Sequence, residues 1–544
     1  MCFCVLYLID IVKNFQLNEY SMLSIFKERW CWLKSNLFVF ILMSFFTIVM
    51  FMVDASVWFL ILPIIINILY LCYIKIDLVA ANKIVYTKRM FRLLFVSVML
   101  LGLVVWCLYY LHFDILVKVG WGFVLLSFVI VWLANLCLMP IEYGIKRYYL
   151  KTAKIKISEH KTLVKVAITG SFGKTSTKEI LATLLSEKYN VLSVPKSFNT
   201  PMGISKTINS SLTNTKEIFV CEMGARKSGE INELCQLVAP QMGIVTSVGR
   251  QHTNTFGNIE GVYKTKKELP DYLNKGLCVF NIENSFTHKM YEEFVGDKVG
   301  VFLVQKKNTC ISKVLIKNAL CSKNLKHNYY DCVRSCVFYE KPHKNNYYAK
   351  NIKKTEFGVE FDVYENFLRL GVVSVSLLGV HNIINCLLSI AISRRLGLSW
   401  QKIKLGFGKV KQIEARLQKI SLGNGAIVIN NGYNSNLDSA KESLKVLNVF
   451  NKIHKVVITP GIIETSDDFG FNREFGKLIS RYATDVIIVK NKNKEAILAG
   501  LSESCFDINR VFFVSDFRNV KNVLLGANEN YVFLIENDLP DNFK

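Results

Sequence analysis

The sequence predicts an α-helical transmembrane region followed by two α/β units, the first built on a phosphate-binding loop and the second Rossmann-like. Three observations carry this. Four uncharged apolar stretches of 17–20 residues precede residue 140, each close to the ~20 residues an α-helix needs to span a bilayer. Residues 163–177 read LVKVAITGSFGKTST, a run of β-formers that meets two glycines, a lysine and a threonine. Beyond residue 218, short apolar strands alternate with helical patterns, as in a mostly parallel sheet covered by helices.

The apolar stretches are 37–53, 56–74, 93–111 and 120–139, which makes 37–140 a four-helix membrane region. Residues 1–36 read as a cytoplasmic or interfacial segment, whose apolar residues 1–12 are too few to span. A cleaved signal peptide does not fit, because the apolar segments recur and the first begins far from Met1. Basic residues set the orientation. Lys75, Lys83, Lys88, Arg89 and Arg92 lie between the second and third stretches, and Lys146, Arg147, Lys151, Lys154 and Lys156 follow the fourth. The other two connections hold Lys118 alone. The positive-inside rule therefore predicts a multi-pass protein of the cytoplasmic membrane, with the catalytic domains and both termini in the cytoplasm.

The net charge of +24 is partly this topological bias. It also makes membrane lipid an expected partner through anionic headgroups. No aromatic-basic module or recognition motif points to nucleic acid, and nothing implies an obligate protein partner. The 15 cysteines are scattered, and Cys332 and Cys336 have no second pair to complete a zinc site. They read as reduced apolar residues rather than a disulfide framework.

After the membrane region, residues 158–410 read as a central domain and 411–544 as a C-terminal one. Strands are expected at 218–223, 242–248 and 277–282, then at 426–430, 455–459, 485–489, 510–514 and 531–535. Residues 285–370 are polar and irregular and are expected to extend the central domain with an antiparallel sheet; helical periodicity returns at 381–396.

Chemistry is expected at strand ends, where ligands bind in such sheets. Glycines let backbone N–H groups curl around phosphate oxygens, and a helix N-terminus adds partial positive charge. Gly170, Ser171, Gly173, Lys174, Thr175 and Ser176 are thus the candidate nucleotide contacts, in a short G-x-x-G-K-T variant of the loop. Lys174 would bridge the β- and γ-phosphates and Thr175 would ligate Mg²⁺. Glu222 ends a strand, where a carboxylate holds Mg²⁺ against phosphates or caps the next helix. His252 follows a strand and a glycine turn, as a ligand or as a structural histidine. Lys266 and Glu268 sit in GVYKTKKEL, which taken alone is a cationic solvated helix face.

The order of these clusters resembles the Mur ligase family, above all the branch that adds D-alanyl-D-alanine to the peptidoglycan precursor peptide. GSFGKTSTKE (170–179) looks like that family's ATP loop, SFNTPMGI (197–204) its N-F-N-N segment, and CEMGARKSGEI (221–231) its E-M-G-A segment. TSVGRQHTNTFGNIEGV (246–262), TKKEL (265–269), LLGVHNIINCLLSIAI (377–392), EARLQ (414–418) and GYNSNLDS (432–439) follow in the family's order. The resemblance covers about 160–544. It implies ATP and two Mg²⁺ ions. Lys174 would contact the γ-phosphate, and Thr175 and Glu222 would hold the first ion. His252 and a carbamylated Lys266 would hold the second, since a carbamate turns a cation into a carboxylate-like ligand. Arg416 would reach the γ-phosphate, Asn382 and Asn385 would lie near the base, and Asn431 near the ribose. Asn199, Thr200, Tyr433, Asn434 and Asn436 fall in the substrate-binding motifs.

The implied reaction is amide formation through an acyl phosphate on a peptidoglycan-precursor-like peptide. Several departures bear on the substrates. Membrane helices stand where the family has its UDP-binding domain. Ser247 replaces an Asn, Asn430-Asn431 an Asp-Asp pair, and Leu437 a Pro. VITPGIIETSDD (457–468) and IENDLPDN (535–542) replace motifs of the domain that selects the amine. The same chemistry on another envelope polymer, such as a polyglutamate capsule or a surface glycan, is one alternative. A catalytically weak ATP-binding membrane scaffold is the other.

Overall fold

The computed structural model describes residues 87–110, 122–195, 198–249, 256–304, 346–433, 436–462, 468–489, 492–515 and 517–537. The expected spans 37–53 and 56–74 and the segment 1–36 lie outside these residues, as do His252 and Asn434. The chain divides into two compact units, Met1–Tyr148 with Leu539–Lys544, and Tyr149–Asp538.

The first unit contains α1 (Lys88–Tyr110) and the first part of α2 (Gly122–Glu159). Glu142 of α2 accepts from Arg92 Nε at 2.8 Å and pairs with Arg92 Nη2 at 2.6 Å. Ser97 and Asn135 are buried, whereas Phe95, Met99, Leu103 and Trp106 of α1 and Trp132, Leu133 and Leu136 of α2 face outward. Among the described residues one helix, over Val129–Glu159, is long and apolar enough to cross a membrane by length and composition. The fourth expected span ends at residue 139, but α2 runs on through Pro140 to Glu159. The proline removes one backbone donor. The good helix formers that follow, and burial of Ala153 and Ile157 in the core of the second unit, keep the helix going.

In the second unit, β1 (Val164–Thr169), α3 (Lys174–Leu185), β2 (Val191–Ser193), α4 (Pro201–Ser211), β3 (Ile218–Glu222), α5 (Glu230–Val238), β4 (Met242–Val245), α6 (Ile259–Leu273), β5 (Leu277–Asn281), α7 (Ser285–Glu293) and β6 (Asp297–Leu303) alternate. The hairpin strands β7 (Tyr347–Thr355), β8 (Gly358–Glu365) and β9 (Leu368–Val375) follow, then α8 (His381–Arg395) and α9 (Trp400–Lys409). The sheet order is β2-β3-β1-β4-β5-β6-β7-β8-β9, parallel to β7 and antiparallel beyond. The antiparallel part begins within the irregular 285–370 region, as expected, and β9 carries it on to Val375.

β1 and β3 are neighbours, yet the helices that follow them pack on opposite faces, α3 in one core cluster and α5 in the other. The carboxyl ends of β1 and β3 therefore flank a topological switch point, where such sheets leave a crevice. Gly170 and Glu222 sit on its two sides.

The second sheet is formed by β10 (Gln418–Ser421), β11 (Ile427–Asn431), β12 (His454–Thr459), β13 (Asp485–Val489), β14 (Val511–Val514) and β15 (Tyr531–Glu536), in the order β10-β11-β15-β12-β13-β14. α10 (Leu437–Leu447), α11 (Asp468–Ile479) and α12 (Lys494–Glu503) cover one face, and α13 (Phe517–Leu525) the other. This is the expected Rossmann-like unit.

Candidate active site

The phosphate loop is shaped by two glycines and a lysine. Gly170 has φ +143° and Gly173 φ +81°, angles that L side chains rarely adopt. A Cβ on Gly170 would collide with Thr246 and lie 2.9 Å from the Ser247 amide nitrogen; one on Gly173 would lie 2.6 Å from Asn385 Oδ1. Ser247, read from the sequence only as a departure, supports the loop: its Oγ accepts from the Phe172 N–H at 3.1 Å. Ser171 Oγ accepts from the Gly249 N–H at 3.1 Å. Lys174, first residue of α3, folds its ammonium back onto Gly170 O (2.7 Å) and Ser171 O (3.0 Å). Burial pushes its pKa down to about 8, opposed by Glu222 and reinforced by Arg416.

Glu222 is buried at the end of β3 and is held from both sides. Thr175 Oγ1 donates to Oε2 and Asn199 Nδ2 donates to Oε1, each at 2.9 Å. Sequence reasoning put Asn199 among substrate contacts, whereas its side-chain bond runs to this carboxylate. Thr175 and Glu222 present hard oxygen donors, which suits Mg²⁺, an ion that takes one or two protein ligands and completes its shell with phosphates and water. Among the described residues no group of three or more His, Cys, Asp or Glu could hold a metal ion.

Lys266 is buried on α6. Desolvation, then the cation of Lys174, push its pKa down to about 7; Glu268, Glu230 and Glu222 oppose this. The run GVYKTKKEL is therefore not a uniform solvated face: Lys266 turns inward. Glu268, two residues on, caps the N-terminus of α5 by accepting from Gly229 N at 2.7 Å and Asn232 N at 2.9 Å.

Asn382 and Asn385 are buried at the start of α8. Thr177 Oγ1 donates to Asn385 Oδ1 at 3.2 Å, and Asn385 Nδ2 donates to Asn382 Oδ1 at 2.9 Å. Asn385 thus braces α3, and Asn382 supports Asn385 while donating to Leu378 O at 2.7 Å. Thr200 and Asn436 cap α4 and α10, accepting from Gly203 N (3.3 Å) and Ser439 N (2.8 Å). Ser176 is buried in α3. Asn431 donates through Nδ2 to both oxygens of Glu536 at 3.1 Å, and Ser443 Oγ donates to Oε2 at 2.5 Å. The sequence reading missed Glu536; a carboxylate ending the apolar run YVFLI was its visible signal.

Arg416 lies in the segment between the two sheets, with its guanidinium 4.1 Å from the centre of the Tyr433 ring. Its charge lowers the pKa of Lys174, while burial lowers that of Arg416 itself against the opposing carboxylate of Glu222. Lys174 thus lies within electrostatic reach of Glu222, Lys266 and Arg416.

Fold and site define a phosphate-loop α/β protein with a second sheet domain, and Arg416 in the segment between the two sheets. Residues 168–324 match the Mur ligase middle domain. The chain is 26% identical over 383 residues to the UDP-N-acetylmuramoyl-tripeptide–D-alanyl-D-alanine ligase of Bacillus subtilis, covering 70% of this chain and 72% of that one. It is also 26% identical to the Escherichia coli ligase of the same name, over 57% of this chain and 62% of the relative. Among solved structures, MurF from Acinetobacter baumannii matches with TM-score 0.58 at 19% identity, over 72% of this chain and 77% of that one. The MurF ligase from Thermotoga maritima in complex with ADP matches with TM-score 0.57 at 19% identity, over 72% and 80%. At such identity the structural likeness speaks to the fold.

Proposed function

We propose that this chain is an ATP-dependent, amide-forming ligase of peptidoglycan-precursor synthesis, which adds D-alanyl-D-alanine or a similar amine to a peptide carboxylate. The observation that carries this is the phosphate loop at the switch point of the first sheet, where Lys174 folds over Gly170 and Ser171 and Thr175 bonds the buried Glu222. The names of the relatives supply the substrates.

The peptide carboxylate oxygen attacks the γ-phosphorus of ATP; the bond to the β,γ-bridging oxygen breaks and ADP leaves. The amine nitrogen then attacks the acyl carbon, loses its proton and expels phosphate. Lys174 swings from the loop carbonyls onto the γ-phosphate, and Arg416 meets charge on the transferring group, so that both act as preorganised cations. Bound Mg²⁺, held by Thr175 and Glu222, would neutralise phosphate charge. A carbamylated Lys266, with His252, would hold a second ion. The C-terminal domain selects the amine, and closing it over the site keeps the acyl phosphate from water.

We read α1 and α2 as part of a multi-pass anchor in the cytoplasmic membrane with the ligase domains in the cytoplasm. The outward-facing apolar residues of α1 and α2 and the positive-inside pattern support this. A reporter fused after Lys544 should give a cytoplasmic signal; a periplasmic one would overturn the topology.

The test of the reaction is phosphate release by the detergent-solubilised full chain with ATP, Mg²⁺, UDP-MurNAc-tripeptide and D-Ala-D-Ala, and with each omitted. Release that requires both substrates supports the proposal. Release only with glutamate or an envelope extract would move the reading to another acceptor or amine. Silence throughout would favour a scaffold. In the active case Lys174→Ala abolishes turnover, and retained activity in that variant would overturn the role of the loop.

A further inference from the structure

Ala415 and Leu417 flank Arg416, and both take left-handed backbone angles, φ +54° and +50°. Neither is glycine, so the segment stores strain on both sides of the arginine. Surrounding contacts hold it in place. The Tyr433 N–H donates to Ala415 O at 3.4 Å, and the Arg416 N–H to Ile413 O at 3.2 Å. Leu417 is buried and would stand 3.1 Å from a Cβ on Gly379, at the turn into α8. Strained non-glycine backbone persists where its neighbours over-determine it, and here it presents one cationic side chain.

That side chain lies on Tyr433. The guanidinium carbon is 4.1 Å from the ring centre, and Nη1 donates to Tyr433 O at 3.3 Å. A guanidinium stacks on an aromatic face and keeps its N–H fork in the plane for other acceptors. A free arginine samples many rotamers, and confining it beforehand removes that ordering from the chemical step.

We infer that Tyr433 is a positioning residue: its ring and carbonyl hold Arg416 in the orientation that serves the phosphate loop. The motif resemblance puts Tyr433 among substrate contacts; the structure gives its ring to the arginine. This inference rests on the proposed role of Arg416 at the γ-phosphate. Because the stack uses the ring face, Phe or Trp substitutes for Tyr, and Ala does not.

The experiment compares Y433A, Y433F, Y433W, R416A and Y433A/R416A in the full chain, by the phosphate-release assay above. Y433A should lower kcat by about tenfold to a hundredfold with the KM for ATP changed by less than about threefold, as expected for a misplaced catalytic group. Y433F and Y433W should keep about half of kcat or more, since the stacking face survives. The double variant should be no slower than R416A, because a residue that acts through another shows no separate loss. Independent, additive losses would overturn the inference and return Tyr433 to the substrate. If R416A turns over like the unsubstituted protein, the catalytic reading of Arg416 fails, and positioning is then decided without activity. Trypsin must draw the arginine into its own pocket to cut after it. Cleavage after Arg416, followed by mass spectrometry on the full chain, should accelerate in Y433A and not in Y433F. Equal cleavage in the two would overturn the positioning role.

Discussion

Asn199 holds Glu222: its Nδ2 donates to Oε1 at 2.9 Å, and the backbone closes the contact, since the Gly224 N–H donates to Asn199 O at 3.0 Å. Thr175 takes the other carboxylate oxygen. The acid at the end of β3 is thus oriented from both flanks. It is buried, and a buried carboxylate that loses a donor is left partly unsatisfied.

The first prediction follows from that pair. Asn199→Ala should raise the Mg²⁺ concentration needed for half-maximal phosphate release by about tenfold to a hundredfold, the usual loss when the partner of a metal-holding group is removed. The KM for the peptide should change little. A selective rise in peptide KM with unchanged Mg²⁺ dependence would instead make Asn199 a substrate contact.

Two glycines separate steric cost from backbone cost. Gly173 (φ +81°) would place a Cβ 2.6 Å from Asn385 Oδ1, whereas Gly229 (φ +88°) has nothing within 4 Å. Gly229→Ala should cost about 1–2 kcal/mol, the left-handed penalty alone. Gly173→Ala should cost more, and should also weaken ATP binding, because Asn385 braces α3 behind the loop. Thermal unfolding and nucleotide titration measure both. Equal losses of stability in the two variants would mean that Asn385 simply moves aside.

The third prediction concerns Lys266. Its pKa is pushed from the ordinary 10.5 down to about 7, so the neutral amine that reacts with CO₂ is abundant near neutrality. The sign is fixed by linkage. Between about pH 7 and 10.5 the folded form binds fewer protons at Lys266 than the unfolded form, so the unmodified group costs stability at low pH and that cost fades as pH rises. Carbamylation should therefore increase as pH rises through about 7. Activity should drop in CO₂-depleted buffer and return with bicarbonate. Lys266→Ala should be inactive and partly rescued by short carboxylic acids. Indifference to CO₂ together with full activity of the alanine variant would remove the carbamate.

The sequence made the two sheets and the loop legible because their signals are local: apolar strand runs, glycine turns and a basic-hydroxyl pair. The resemblance assigned Thr175 and Glu222 to one Mg²⁺, and the two side chains are hydrogen-bonded neighbours. The sequence could not show that Asn199, 23 residues away, bonds to that acid, because this pairing exists only once β2 has paired with β3 and brought the segment after it to the end of β3. The resemblance puts Asn382 and Asn385 near the nucleotide base; packing of α8 on α3 bonds Asn385 to Thr177, and Asn382 bonds Asn385 in turn. Lys266 and its neighbour Lys267 are alike in sequence; only the helix face separates the buried one from the one paired with Glu293 at 2.8 Å. The fourth apolar stretch was bounded by its composition, but composition does not end a helix, and α2 continues to Glu159.

Glu268 joins stability to chemistry, and its substitution should move them in opposite directions. Its carboxylate caps α5 through Gly229 N and Asn232 N, an interaction worth about 1–2 kcal/mol for a charged cap at a helix N-terminus. Glu268→Gln keeps one acceptor oxygen and loses the charge, so the melting temperature should fall by a few degrees, about what 1 kcal/mol shifts in a domain of this size. The same charge holds the pKa of Lys266 up. Removing it should favour the neutral amine and extend bicarbonate-dependent activity to lower pH. A variant that melts lower yet keeps its CO₂ response at a pH where the unsubstituted protein has lost it would show the two roles separately. A fall in stability with an unchanged pH profile would leave Glu268 a helix cap only.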